Sequence, residues 1–291
     1  MRGSLRVTLA AVLVLLLAGG PAAAEDVPGP QGGEEGVQRR QSWLLPLPDQ
    51  TMLMRATVMR PPGAGPFRLA VINHGSTQNS QRRAKMRMPE YRLASQWFLA
   101  RGYAVVLPQR PGYGETGGSF LEDHGRCESP DYRAAGLATA GIIQAAVDYM
   151  TAQPFVARTG TVVVGHSGGG WGALALSSRN PPVHAVLNFA GGRGGRVRGE
   201  ANNNCAPHRL IAAAGEFGRS SRGPTLWLYS ENDSYFAPDL SQRMYRAFRA
   251  AGGRADYHLL PPFGTDGHRL INSDEAHALW APIVERFLAA R

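Results

Sequence analysis

Gly165-His166-Ser167-Gly168-Gly169 sets one hydroxyl between glycines two places before it and two places after it. Serine in G-x-S-x-G spacing suits nucleophilic acyl transfer when a strand precedes it and a helix follows. The strained turn between them has no room for side chains at the glycine positions. Residues 161–164 are an apolar β-branched run, and residues 170–178 form a helical stretch. Ser167 would then stand above the carboxyl ends of the strands. The Gly168 N–H, at the start of the helix, would face a developing oxyanion. The competing reading is a glycine-rich phosphate loop, but neither G-x-G-x-x-G nor a Gly-Lys-Ser/Thr ending is present.

A serine hydroxyl at its ordinary pKa needs a base, and the base needs an orienting acid. In strand-turn-helix hydrolases the chain order is serine, acid, histidine, each at a strand's carboxyl end. The apolar run 225–229 leads into Ser230-Glu231-Asn232-Asp233, which makes Asp233 the expected acid, with Glu231 and Asp239 in reserve. His268 closes the loop Phe263-Gly264-Thr265-Asp266-Gly267-His268 after the last strand and is the expected base. A second oxyanion donor is expected in Asn73-His74-Gly75-Ser76-Thr77. The Ser76 N–H is the candidate, and Thr77 is the alternative. Of the other histidines, His258 falls in a strand and His277 in a helix, and His166 is expected to pack beside the nucleophile. His124, His184 and His208 show no partner pattern. No pair has metal-binding spacing such as H-E-x-x-H, so neither a metal nor a cofactor is expected.

These residues require a scaffold. Apolar runs at 69–73, 103–107, 161–165, 183–189, 224–230 and 256–261 alternate with helical patterns, which predicts an α/β fold with a mostly parallel sheet and helices on both faces. Residues 43–47 and 52–60, either side of Pro48-Asp49-Gln50, predict an antiparallel hairpin before it. A helix is expected after Ser129-Pro130, with Pro in its first turn and Ile143, Val147 and Met150 on one face. The last helix, 273–290, contains Pro282 and is expected to kink or restart there. Residues 25–41 are rich in Gly, Pro, Glu and Gln and read as a flexible leader to one catalytic domain spanning 42–291.

Residues 1–24 have the parts of a secretory signal: Arg2 and Arg6, an apolar run over 7–18, and Ala22-Ala23-Ala24. That run is shorter than the roughly 20 residues a spanning helix needs. Export to the periplasm or medium is therefore expected, with no stable membrane insertion after cleavage. In an oxidising compartment Cys127 and Cys205 are expected to form one disulfide, with two separate buried thiols as the alternative. The bridge would tie segment 120–131 to segment 191–207, where Arg193, Arg196 and Arg198 otherwise suggest a solvated insertion. The formal charge is +9 over 291 residues, and Lys85 is the only lysine. Arg82, Arg83, Lys85, Arg87 and Arg92 cluster with Tyr91 as their single aromatic, short of the interleaved series used to stack bases, so no nucleic-acid partner is expected. A hydrophobic content of 43% excludes a disordered, collagen-like or disulfide-scaffold chain.

Taken together, the pattern resembles the α/β-hydrolase superfamily in its dienelactone-hydrolase-like serine esterase branch. The resemblance is carried by His74-Gly75-Ser76, the elbow at Ser167, Asp233 and Asp266-Gly267-His268. The turn Arg110-Pro111-Gly112-Tyr113-Gly114 is also similar to that family's, and the likeness covers residues 43–291. It implies an α/β-hydrolase fold. Dienelactone hydrolases in the narrow sense carry Cys where this chain has Ser167, which favours a general ester hydrolase. Prolyl-oligopeptidase-like peptidases share the elbow, acid and histidine positions but carry a large extra domain. The expectation is a secreted serine hydrolase that cleaves small-molecule carboxylic esters through Ser167, His268 and Asp233. The alternatives are a serine peptidase or amidase with the same triad, or a non-catalytic binding protein on the same fold.

Overall fold

The computed structural model describes residues 27–48 and 52–291. The expected signal segment and part of the hairpin turn lie outside them. The strands are β1 (Gly29–Glu35), β2 (Arg40–Pro46), β3 (Leu53–Met59), β4 (Arg68–Asn73), β5 (Tyr103–Pro108), β6 (Val162–His166), β7 (Ala185–Phe189), β8 (Thr225–Ser230) and β9 (Ala255–Leu260). They form one sheet in the order β1-β2-β3-β5-β4-β6-β7-β8-β9. Pairing is antiparallel from β1 through β3 to β5 and parallel from β5 onward. Every residue of β5, β7 and β8 is buried. Because successive side chains point to opposite faces, such strands need cover on both sides, which explains their near-continuous apolar character.

The cover comes from α1 (Ser80–Ala84), α2 (Arg92–Leu99), α3 (Tyr132–Thr151), α4 (Gly168–Ser177), α5 (Pro207–Ser220), α6 (Pro238–Ala250) and α7 (Asp274–Ala289). α3 packs on α4 and α5, α5 on α6, and α2 on α7. The expected hairpin is β2–β3, with Trp43 opposite Ala56.

Two expectations are corrected and a third is narrowed. Residues 29–35 are strand rather than flexible leader, pairing Gly29 with Leu44 and Glu35 with Arg40. β1 is an edge strand, mostly exposed, held through its backbone and the contacts of Glu34 with Arg39 and Arg60. No apolar period is needed for that, and none is present. The start of α3 is capped by Asp131, whose carboxylate accepts from the Ala134 N–H at 2.8 Å, so Pro130 precedes the helix. α7 runs past Pro282 without a restart. The carbonyl that loses its i→i−4 donor is that of Ala278, an exposed residue, so water can replace the bond.

Cys127 and Cys205 are joined, as expected, across a sequence separation of 78 residues. Closing a loop of that length restricts the unfolded chain by about 4 kcal/mol. The double variant Cys127→Ser/Cys205→Ser should lose a comparable unfolding free energy in urea titration. An unchanged midpoint would show that the bond contributes nothing to stability.

Candidate active site

β6 ends at His166 and α4 begins at Gly168, which leaves Ser167 alone at the turn with φ 53° and ψ −120°. That backbone state costs a non-glycine residue about 1–3 kcal/mol. Three main-chain bonds hold it: the Ser167 N–H donates to Phe189 O at 3.0 Å, and its carbonyl accepts from the N–H groups of Trp171 and Gly192 at 2.9 and 3.2 Å. A Cβ on Gly165 would overlap the Gly169 carbonyl, and one on Gly169 would overlap the carbonyls of Asn73 and His74. Gly165 and Gly169 are thus required by backbone lying against backbone.

His268 Nδ1 lies 3.1 Å from each carboxylate oxygen of Asp233. Facing a carboxylate, Nδ1 carries the proton and leaves Nε2 as an acceptor. Asp233 is 1% exposed, and its Oδ1 also accepts from the N–H groups of Tyr235 and Phe236 at 2.7 and 3.0 Å. The reserves Glu231 and Asp239 are both exposed, so of the three candidate acids Asp233 is the one placed against His268. Asp266 shapes the loop itself, accepting from the His268 N–H at 3.0 Å and the Ser234 hydroxyl at 2.7 Å. The Tyr235 ring stacks on the His268 ring at 4.1 Å between centroids.

Ser76 lies directly against Gly168, close enough that a Cβ there would overlap the Ser76 side chain. The peptide between Gly75 and Ser76 is turned by its carbonyl. Gly75 O accepts from His74 Nδ1 at 2.6 Å and from Arg110 Nη2 at 3.2 Å. In a trans peptide the N–H points opposite to the C=O, so the Ser76 N–H is directed away from Arg110. His74 Nε2 in turn accepts from the Arg110 N–H at 3.0 Å. Burial, followed by the nearby Arg110 charge, lowers His74 to about 3, which keeps the ring neutral and in this one tautomer.

Several contributors were not evident from the sequence. Glu122 is fully buried and bonds both Arg110 and Arg193. Burial pushes its carboxyl up, but the two guanidiniums outweigh that and hold it at about 2. Arg193, expected in a solvated insertion, is 3% exposed. Tyr91 accepts from the Gly75 N–H at 3.3 Å and meets His166 Nδ1 at 3.2 Å, while His166 Nε2 donates to the His268 carbonyl at 2.7 Å. Burial, then the neighbouring His268, lowers His166 to about 3. His124, which showed no partner pattern, accepts from Gln78 Nε2 at 2.7 Å. Arg83, in the basic cluster, lies over the Phe120 ring and donates to the carbonyls of Thr77 and Gln78.

Ser167 and His268 line one cleft of about 890 Å³. Ser167 also borders a second, of about 640 Å³, lined by Cys127 and Cys205. Among the described residues no group of three His, Cys, Asp or Glu side chains is placed to hold a metal ion. Chemically, the arrangement offers a hydroxyl in a strained turn and an oriented imidazole lining the same cleft.

A family model described as the dienelactone hydrolase family matches residues 86–278. No curated protein matches the sequence. Among solved structures, an esterase from Pyrococcus furiosus is similar over 91% of this chain and 99% of its own, at 14% identity and TM-score 0.63. An acylaminoacyl peptidase from Pyrococcus horikoshii is similar over 89% of this chain but 42% of its own, at 13% identity and TM-score 0.63. A puromycin-hydrolyzing peptidase from Mycobacterium tuberculosis is similar over 87% and 39%, at 15% identity and TM-score 0.63. At these identities the likeness establishes the α/β-hydrolase fold.

His74 and His166 each hold a folded-state pKa of about 3 against an ordinary value of 6.5. Between those values the unfolded chain binds protons that the folded one refuses, so stability is complete above pH 6.5 and falls as pH drops toward 3. The urea midpoint should decline steadily from pH 7 to pH 4. His166→Gln should flatten that slope. A midpoint that stays constant between pH 7 and pH 4.5 would refute the buried neutral imidazoles.

Proposed function

The chain belongs to the dienelactone hydrolase family, and from that premise we propose that it is an exported serine hydrolase cleaving carboxylic esters through an acyl-enzyme. The observation that carries the reading is the shared cleft of Ser167 and His268, with Asp233 against the far nitrogen of the imidazole. In the proposed cycle His268 Nε2 takes the Ser167 proton as Oγ attacks the acyl carbonyl. The oxyanion forms beside the N–H groups of Ser76 and Gly168, each such donor being worth about 3 kcal/mol in the transition state. His268 then gives its proton to the leaving alcohol. Water, deprotonated by the same nitrogen, releases the acid and restores Ser167. Asp233 remains ionised throughout and holds the imidazole in the reactive tautomer.

The peptidase likeness supports a second reading, amide cleavage by the same residues. The ester reading is preferred because the esterase is matched along nearly its whole length and the peptidases over less than half of theirs. Export is supported by the signal pattern of residues 1–24 and by the Cys127–Cys205 bond, which persists in an oxidising compartment. Among the described residues no helix is long and apolar enough to cross a membrane.

A fluorophosphonate probe should label the wild-type protein at Ser167 and leave Ser167→Ala unlabelled. Asp233→Asn should stay folded and lose about ten-thousand-fold in kcat on a nitrophenyl ester. Folded wild-type protein that takes no label would point to the non-catalytic reading. Faster turnover of a nitroanilide than of the matching nitrophenyl ester would favour the amidase reading.

A further inference from the structure

Ser167 stands where two clefts meet, and the two are not equivalent. His268 and Arg269 line the larger one and do not line the smaller. The smaller is walled by the Cys127–Cys205 bridge, the Gly192–Gly195 backbone, Val197 and Phe236. Ser76, Tyr235 and Arg196 border both.

The tetrahedral intermediate assigns a direction to each cleft. Of the four groups on the attacked carbon, one is Ser167 Oγ and one is the oxyanion at the Ser76 and Gly168 N–H groups. The leaving oxygen must reach His268 Nε2 to be protonated, so the alcohol extends into the cleft that His268 lines. The remaining direction is that of the acyl chain.

The smaller cleft is polar, and the exposed Arg82 stands on its lining. Arg193 shares the Glu122 carboxylate with Arg110, and Arg196 lies 3.7 Å from Asp266 and donates to the Ser234 hydroxyl. His124 is bonded to Gln78. Backbone amides, Gln78 and Asn79 supply hydrogen-bonding groups, while Val197 and Phe236 supply an apolar wall. Its volume of about 640 Å³ lies in the range that encloses drug-sized ligands, so an acetyl group would leave most of it empty.

We propose that the disulfide-walled cleft is the acyl subsite, taking a hydrogen-bonding acyl group larger than acetyl, and that the cleft lined by His268 takes the leaving alcohol. This rests on the ester-cleaving reading above.

The test uses the exported chain with its disulfide intact, quantified first by fluorophosphonate titration of Ser167. One ester series keeps nitrophenol as leaving group and varies the acyl group through acetyl, octanoyl and N-acetylglycyl. A second keeps acetyl and varies the alcohol from phenol to 1-naphthol. Wild type should prefer the N-acetylglycyl ester over both others in kcat/KM. Val197→Trp, which fills the subsite, should lower the N-acetylglycyl to acetyl ratio about 10-fold or more, and move the naphthyl to phenyl ratio less than about 2-fold. Val197→Leu provides a smaller step in the same direction should the tryptophan variant misfold. A change that follows the alcohol instead of the acyl group, or a wild-type preference for octanoyl, would overturn the assignment in a protein whose Ser167 still labels. Absence of labelling would instead reject the hydrolase reading beneath it.

Discussion

A single carboxylate, that of Glu122, joins the chain segments that surround Ser167. It bonds Arg110 after β5 and Arg193 after β7, and all three side chains are removed from water. Burying three charges is costly, and well-packed apolar residues in their place would often serve stability as well or better. What apolar residues could not do is aim a backbone. Arg110, held by Glu122, reaches the carbonyls of His74 and Gly75, and the rotation of those peptides sets where the Ser76 N–H points. Arg193 donates to the Glu122 carbonyl and to Thr139 on α3, so the same carboxylate fixes the floor of the second cleft to the helix layer.

A second set of bonds runs through neutral imidazoles. Gly75 N–H, Tyr91 hydroxyl, His166 and the His268 carbonyl form one directed chain, from the loop carrying Ser76 to the loop carrying His268. The chain works in one direction only when His166 is uncharged, with its proton on Nε2. Burial secures that state, as it does for His74. The two supporting histidines therefore keep their tautomers from neutral pH down toward about 3.

How much of this was legible in the sequence follows from how local each interaction is. The parallel strands and the elbow are written in short runs, where apolar content or glycine spacing reports burial or close backbone approach. Asp233 and His268 are placed by the order of strands, and the pairing of Cys127 with Cys205 by compartment and by the loops they occupy. Glu122 is separated from Arg193 by 71 residues, and nothing beside either residue marks it as buried. Both look like ordinary polar loop positions until the sheet brings their loops together. Tyr91 is hidden in the same way, as are the bonds that His166, expected beside Ser167, makes to Tyr91 and to the His268 carbonyl. β1 was missed for a different reason: an edge strand joined by main-chain bonds leaves almost no trace in side-chain pattern.

The elbow also sets a stability problem that its own residues cannot solve. α4 opens with Gly168, Gly169 and Gly170 and carries Gly172 in its second turn, each costing up to about 1 kcal/mol relative to alanine in a helix. Ser167 adds backbone strain. Every residue of α4 is buried, and the absence of side chains lets the helix approach β4, β6 and α3 closely, with Thr139 filling the space beside Gly172. Trp171 closes the contact, its indole N–H donating to Tyr132 O at 2.7 Å and its ring lying against Phe217. Gly136 on α3 makes room for that indole, since a Cβ there would come within 2.9 Å of Nε1. The geometry of Ser167 is therefore maintained from behind, by helix packing that touches no substrate. A side chain introduced at Gly136 would act on Ser167 through Trp171, whose main-chain N–H is one of the donors holding the Ser167 carbonyl.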